Sequence, residues 1–229
     1  FIRACECEKA QRDRLESRLK FAAIPRELAG QTIDSFRTDC YSTEQNRSLA
    51  EMAKSLAAQY VKNFPKIREI GKGLYFHSAV KGSGKTRLAV SIANDLITKQ
   101  AVSVKFATTI QILDQIRNTY GDRNGWGISE QELTNQIISV PVLVIDDIGA
   151  EQSKDWVNER FYNILNGRMI EKRITIFTSN YRINELKLDE RIVNRIEKMA
   201  LPIEFPDESI RRMIAQSENN KLMDCLLGM

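Results

Sequence analysis

Lys85 and Thr86 stand side by side after the run Ala79-Val80-Lys81-Gly82-Ser83-Gly84. A short apolar stretch, Leu74-Tyr75-Phe76, leads into that run, and Leu88, Ala89, Ile92, Ala93, Leu96 and Ile97 recur after it at helical spacing. A loop between a buried strand and a helix N-terminus suits anions: its N–H groups point inward, the helix dipole favours negative charge, and glycine lets the backbone come close. Gly82, Ser83 and Gly84 would line such a cradle. Lys85 would lie against the β- and γ-phosphates of a nucleotide, and the Thr86 hydroxyl would ligate Mg²⁺. The pattern G-x-x-x-x-G-K-[ST] is met except at its first glycine, where Ala79 stands. Alanine serves there provided its φ stays negative.

A second group is Asp146-Asp147. Val142, Leu143, Val144 and Ile145 run straight into it, as in a strand buried on both faces of a parallel sheet. Carboxylates at the C-terminal end of such a strand lie where open α/β sheets bind ligands. Beside a phosphate loop, Asp146 would hold Mg²⁺, directly or through water, and Asp147 would orient or deprotonate an attacking water. Asn180 ends another apolar run, Ile174-Thr175-Ile176-Phe177-Thr178-Ser179; it could reach a γ-phosphate or the water, or simply form a turn. Arg191 and Arg195 are four apart on a later helical stretch, hence on one face.

The elements that must position these groups alternate. Glu8–Ile24 reads as an amphipathic helix with Leu15, Leu19 and Ala22 on one side, ended by Pro25. Ala29–Asp39 reads as extended and turn-like. A long helix starts at Ser42-Thr43-Glu44, with Leu49, Met52, Ala53, Leu56, Ala57 and Tyr60 inward. Pro65 and Gly71-Lys72-Gly73 separate it from the first strand. Val102–Ala107 reads as a second strand, followed by a helix capped by Thr108 or Thr109 and a glycine-rich loop holding Arg123 and Trp126. After the acidic strand comes a helix with Trp156, Val157, Phe161 and Ile164 or Leu165 inward. The Asn180 strand, the arginine helix, a fifth strand over Ala200–Phe205 and a last helix complete the chain. Strand and helix in alternation predict a parallel, three-layer α/β sheet.

With 42% hydrophobic and 28% charged residues the chain has the composition of an ordinary globular protein with a sizeable core. The net charge of +4 is compatible with nucleic acid without pointing to it. No apolar run reaches the roughly 18 residues of a membrane span, and no membrane partner is expected. Cys5, Cys7, Cys40 and Cys225 are scattered, and the first twenty residues are charged throughout with no export signal. Both features point to a reducing, cytoplasmic setting. Cys5 and Cys7 have the form of half a four-thiolate zinc site whose second half is not in this chain.

A phosphate loop, an acidic strand end, a polar strand end and a late arginine helix, in this order, resemble the AAA+ ATPases. Val142–Glu151 (VLVIDDIGAE), Thr178-Ser179-Asn180 and Arg191–Ile196 (RIVNRI) look like the DnaC/DnaI family of helicase loaders, a resemblance covering roughly residues 24–215. It implies a three-layer P-loop NTPase with a five-stranded parallel sheet of order 5-1-4-3-2, binding ATP or ADP with Mg²⁺. It also implies an ATPase domain over 25–229, with 1–24 the end of a truncated N-terminal region or linker helix. The family's Walker A residues match Lys85 and Thr86, its Walker B acids Asp146 and Asp147, and its sensor-1 asparagine Asn180. Its trans-acting arginine finger matches Arg195, so ATP sites would form between self-assembled subunits and a monomer would turn over slowly. Its sensor-2 arginine matches Arg211, with Arg212 the rival.

The resemblance further implies two partners, single-stranded DNA and a hexameric replicative helicase, a DnaB/DnaC-type ring. Lys105, Arg117 and Arg123 are the nearby cations that could meet DNA, though each also fits a plain surface charge. Cys5 and Cys7 look like the tail of a zinc-binding N-terminal domain of DnaI-like loaders. Two other readings stay open: a transposition helper ATPase of the IstB type, and a nucleotide-switched adaptor with negligible hydrolysis. Ala79 keeps the last one open, as does an aspartate at 147 where many relatives carry glutamate.

Overall fold

The computed structural model describes residues 2–119, 129–150 and 155–227. Arg123 and Trp126 lie outside them, as do the side chains of Cys5 and Cys7. Five strands, β1 (Gly73–His77), β2 (Val104–Thr108), β3 (Val142–Asp146), β4 (Ile174–Ser179) and β5 (Ala200–Glu204), form one parallel sheet of order β2-β3-β4-β1-β5. This is the order 5-1-4-3-2 counted from the other edge.

Alternation along each strand feeds two cores. Leu74 and Phe76 of β1, Val142 and Val144 of β3, and Ile174 and Ile176 of β4 face one layer. Tyr75, Leu143, Ile145 and Phe177 face the other. The first layer holds α1 (Ile2–Ala22), α2 (Glu44–Lys62), α3 (Phe64–Ile70) and α4 (Lys85–Gln100). The second holds α5 (Thr109–Thr119), α6 (Glu130–Ser139), α7 (Asp155–Ile170) and α8 (Glu190–Met199). The last helix, α9 (Ile210–Leu227), leaves the sheet edge: the side chains described over 211–226 are all exposed.

Several local expectations need correction. α2 buries Ala50, Ala53, Ala57, Tyr60 and Val61, whereas Met52 is 58% and Leu56 40% exposed. Its alanines set the facing, because small side chains let α2 lie against α4 and leave the larger apolar residues outside. Likewise Leu19 of α1 is exposed, and the helix stops at Ala22, where Ala23 turns left-handed (φ 54°) before Pro25 is reached. Pro65 does lie between α2 and β1, but inside a further helix. It opens α3, in a first-turn position where its missing N–H costs nothing. Thr43 caps α2 by accepting from Asn46 N, and Thr108 caps α5 by accepting from Gln111 N.

α4 is buried almost all round. The segment before α2 covers the face that periodicity alone would leave wet: Asn94 Nδ2 donates to the carbonyls of Leu28 and Gln31, Ile33 N donates to buried Asp95, and Arg87 donates to Ser35 O. Its Phe36 and Tyr41 are core residues.

At the opposite, N-terminal edge of the sheet Arg168 of α7 is fully buried. It donates to Ile137 O (2.7 Å), Val140 O (2.9 Å), Ile174 O (2.5 Å) and Thr175 Oγ1 (3.0 Å). The Ile137 carbonyl, with that of Ile138 (3.2 Å), belongs to the C-terminal end of α6, where the helix dipole is negative.

Candidate functional site

β1 delivers the chain to Ser78, and the loop to Gly84 turns it into α4. Gly82 (φ 80°) and Gly84 (φ 102°) hold conformations that strain an L side chain. A Cβ at Gly82 would come within 2.9 Å of Arg211 Cβ, and one at Gly84 within 3.1 Å of Tyr41 Oη. Ala79 is not among the positive-φ residues, so alanine meets no strain there. Its N–H donates to Asp207 Oδ1 (3.0 Å), which also accepts from Ser78 Oγ (2.9 Å). Tyr41 Oη donates to Ser83 O (2.7 Å), pinning the loop from the other side.

Gly84 begins α4 with no side-chain cap, so the first-turn amides are left for a ligand. Lys85 is 6% exposed and donates to Val80 O (3.0 Å), Ser78 O (3.2 Å) and Ser83 Oγ (3.3 Å). Burial lowers its ammonium to about 8, against the pull of Asp147, Asp146 and Asp207.

Sheet register joins the rest. Ile145 lies opposite Phe177, so one step on Asp146 meets Thr178. Asp146 Oδ1 accepts from both Thr86 Oγ1 (2.8 Å) and Thr178 Oγ1 (2.6 Å). Burial raises its carboxyl above the usual range, and those two hydroxyls oppose the rise. Asp147 turns left-handed (φ 58°), a conformation aspartate tolerates. Its N–H donates to Thr178 Oγ1 (3.0 Å), and its Oδ1 accepts from Asn180 Nδ2 (2.7 Å). Lys85, Thr86, Asp146, Asp147 and Asn180 therefore gather at one sheet edge.

Arg195 lies apart from them. Its guanidinium rests over the Tyr162 ring at 4.1 Å and donates to Tyr162 Oη (2.7 Å), Asn166 Oδ1 (3.0 Å) and Arg191 O (2.9 Å). Arg191 shares that ring at 5.1 Å and pairs with Asp189. Arg211 N donates to Gly82 O (3.3 Å), so this residue adjoins the loop through its backbone, while its side chain and that of Arg212 are exposed. Lys105 donates to Phe21 O and stands over the Phe21 ring of α1, and Arg117 covers Trp156.

Sequence reasoning missed Thr178, Asp207, Tyr41 and Arg168. Only Thr178 had a signal: it opens the polar end Thr178-Ser179-Asn180 of a strand that is apolar before it except at Thr175. Asp207 and Tyr41 come from segments whose approach to the loop depends on the whole fold.

The donor set suits the implied ligands. Two glycines at positive φ, uncapped amides and a buried lysine fit a phosphate cradle, and a threonine hydroxyl beside a carboxylate is a hard-oxygen pair of the kind Mg²⁺ prefers.

The family described as IstB-like ATP binding protein matches residues 4–212. The replicative helicase loader DnaI of Bacillus subtilis (strain 168) is 27% identical over 219 residues, 88% of this chain and 65% of that protein. The replicative helicase loader DnaC of Escherichia coli (strain K12) is 32% identical over 146 residues, 63% of this chain and 56% of that protein. This chain thus spans less than two thirds of either relative's length. A solved crystal structure of DnaI is 30% identical with a TM-score of 0.62, over 80% of this chain and 95% of that one.

Proposed function

Because this chain belongs to the IstB-like ATP binding proteins and has the AAA+ P-loop fold, we propose that it hydrolyses ATP while placing a ring-shaped replicative helicase on single-stranded DNA. The observation that carries the ATPase part is the hydrogen-bonded line from Thr86 through Asp146 and Thr178 to Asp147 and Asn180, beside a buried lysine. The loader part rests on the names of the relatives.

In this reading Lys85 and the first amides of α4 bind the β- and γ-phosphates. Thr86 and Asp146 would hold Mg²⁺, which would supply charge neutralisation for the phosphates. Asp147 takes up or orients the proton of the attacking water, and Asn180 holds that carboxylate in place. Arg211, rooted against the loop, reaches the same phosphates.

Arg195 acts on the site of a second copy. Its contacts run to α7 and its own helix, so reaching a neighbour means leaving Tyr162. Residues 25–229 are the ATPase body, on whose α4 and β2 the helix α1 leans.

The test is Lys85→Ala, with fluorescent ATP analogue binding, phosphate release and helicase loading on single-stranded DNA all measured. Loss of all three is expected, and unchanged binding and turnover would remove the assignment. The IstB description favours one second reading, a transposition helper. Stimulation by a transposase, with none by a helicase, would select it. Phosphate release absent over hours in a single-turnover assay with DNA would select the nucleotide-switched adaptor.

A further inference from the structure

We infer that Thr178 is the positioning residue that fixes both acids of the site at once, an inference that rests on the ATPase reading above. Thr178 is 2% exposed, near the end of β4. A hydroxyl has one proton to give and two lone pairs to accept with. Here the proton goes to Asp146 Oδ1 (2.6 Å), and a lone pair takes the Asp147 N–H (3.0 Å). One oxygen atom thus ties the carboxylate of the first acid to the backbone of the second.

Two consequences follow. Asp146 Oδ1 has two hydroxyl donors, from Thr178 and Thr86, which hold in place the carboxylate that would bind Mg²⁺. Because Thr86 gives its proton to Asp146, its oxygen lone pairs remain for the metal as well. The second consequence concerns Asp147, which starts the turn after β3 in a left-handed conformation. The Thr178 side chain takes its N–H, and the Thr178 carbonyl takes the N–H of Ile148 (2.9 Å). The turn that aims the shorter aspartate is therefore fastened to β4 at this residue. Asn180, two residues further on, reaches the Asp147 carboxylate from the same strand end.

Valine has nearly the shape of threonine and neither hydrogen bond; serine keeps both. Bonds to a charged group are worth enough that Thr178→Val should raise the Mg²⁺ concentration for half-maximal nucleotide binding about tenfold or more. Binding of the nucleotide with chelator present should change less than about twofold, since Lys85 and the loop are untouched. Turnover should fall with the metal response, and Thr178→Ser should restore both.

The experiment is a Mg²⁺ titration of fluorescent ATP analogue binding for wild type, Thr178→Val, Thr178→Ser and the control Lys85→Ala, with thermal unfolding of each. If Thr178→Val does not fold, Thr178→Ala takes its place, because it removes the hydroxyl without adding bulk. A normal Mg²⁺ response in the hydroxyl-less variant, with binding lost in Lys85→Ala, overturns the positioning role alone. Nucleotide binding that survives in Lys85→Ala overturns the reading beneath it. A hydroxyl-less variant whose metal-free and metal-dependent binding fall equally, unrescued by serine, assigns Thr178 to packing and also overturns the role.

Discussion

Two buried cations mark opposite ends of the same sheet, and the protein treats them differently. Arg168, at the N-terminal edge, is fully buried and donates to carbonyls from α6, the segment after it and β4, besides Thr175 Oγ1. The negative end of α6 and those carbonyls stand in for a counter-ion. Lys85, at the C-terminal edge, donates to three oxygens of its own loop, at 3.0–3.3 Å. One charge closes the fold; the other is available to an incoming anion. Burial alone therefore does not mark a functional cation. What marks it is contacts that a ligand can replace.

The sharpest way to break that contrast is to remove Arg168. Arg168→Ala leaves several buried carbonyls unpaired and should cost about 3–5 kcal/mol, or prevent folding. Urea unfolding measures it, and a loss below about 1 kcal/mol would mean the guanidinium is dispensable.

Lys85→Met should do the reverse, abolishing nucleotide binding while keeping or raising stability. Burial lowers the Lys85 ammonium from 10.5 to about 8. Its protonated form therefore costs stability in full below about pH 8. The cost fades as pH rises toward 10.5, where only the unfolded chain still binds the proton. The methionine variant should be more stable than wild type at pH 7 by on the order of 2 kcal/mol. That advantage should shrink between pH 8 and 10, and unfolding curves at a constant advantage would contradict the contrast.

Asn180→Ala sharpens the functional end. It frees the Asp147 carboxylate, and turnover should fall about 10²-fold with nucleotide affinity nearly unchanged. Equal losses in both would show that Asn180 shapes the loop instead. The smallest effect belongs to Tyr41→Phe, which removes the bond to Ser83 O. It should cost about 1 kcal/mol and weaken nucleotide binding a fewfold, read by thermal unfolding and analogue titration.

Much of the functional edge was legible because burial and chemistry coincide there. Val142–Ile145 is apolar without a break, and the strand it forms is buried on both faces up to Asp146. Glycine, lysine and threonine at fixed spacing mark the loop, and strand–helix alternation marks the sheet. Other parts depend on packing that no local pattern encodes. The helical period of α2 marks Ala53, Ala57 and Tyr60 as inward, as they are, but does not show that Met52 and Leu56 stay outside while Ala50 is buried. α4 is covered by the segment holding Phe36 and Tyr41, which reads as a turn-rich loop. Arg168 looks like any helix-surface arginine until α6 is laid across it. The role proposed for Arg195 rests on the family resemblance alone, since two arginines four apart on a helix are commonplace.

In the proposed function this edge hydrolyses ATP and is completed by a second copy. The most direct measurement is ATP turnover per subunit against protein concentration, with and without single-stranded DNA, for wild type and Arg195→Ala. Turnover should rise with concentration and with DNA and drop about 10³-fold in the variant. Turnover that is independent of concentration and unchanged by Arg195→Ala would contradict that function.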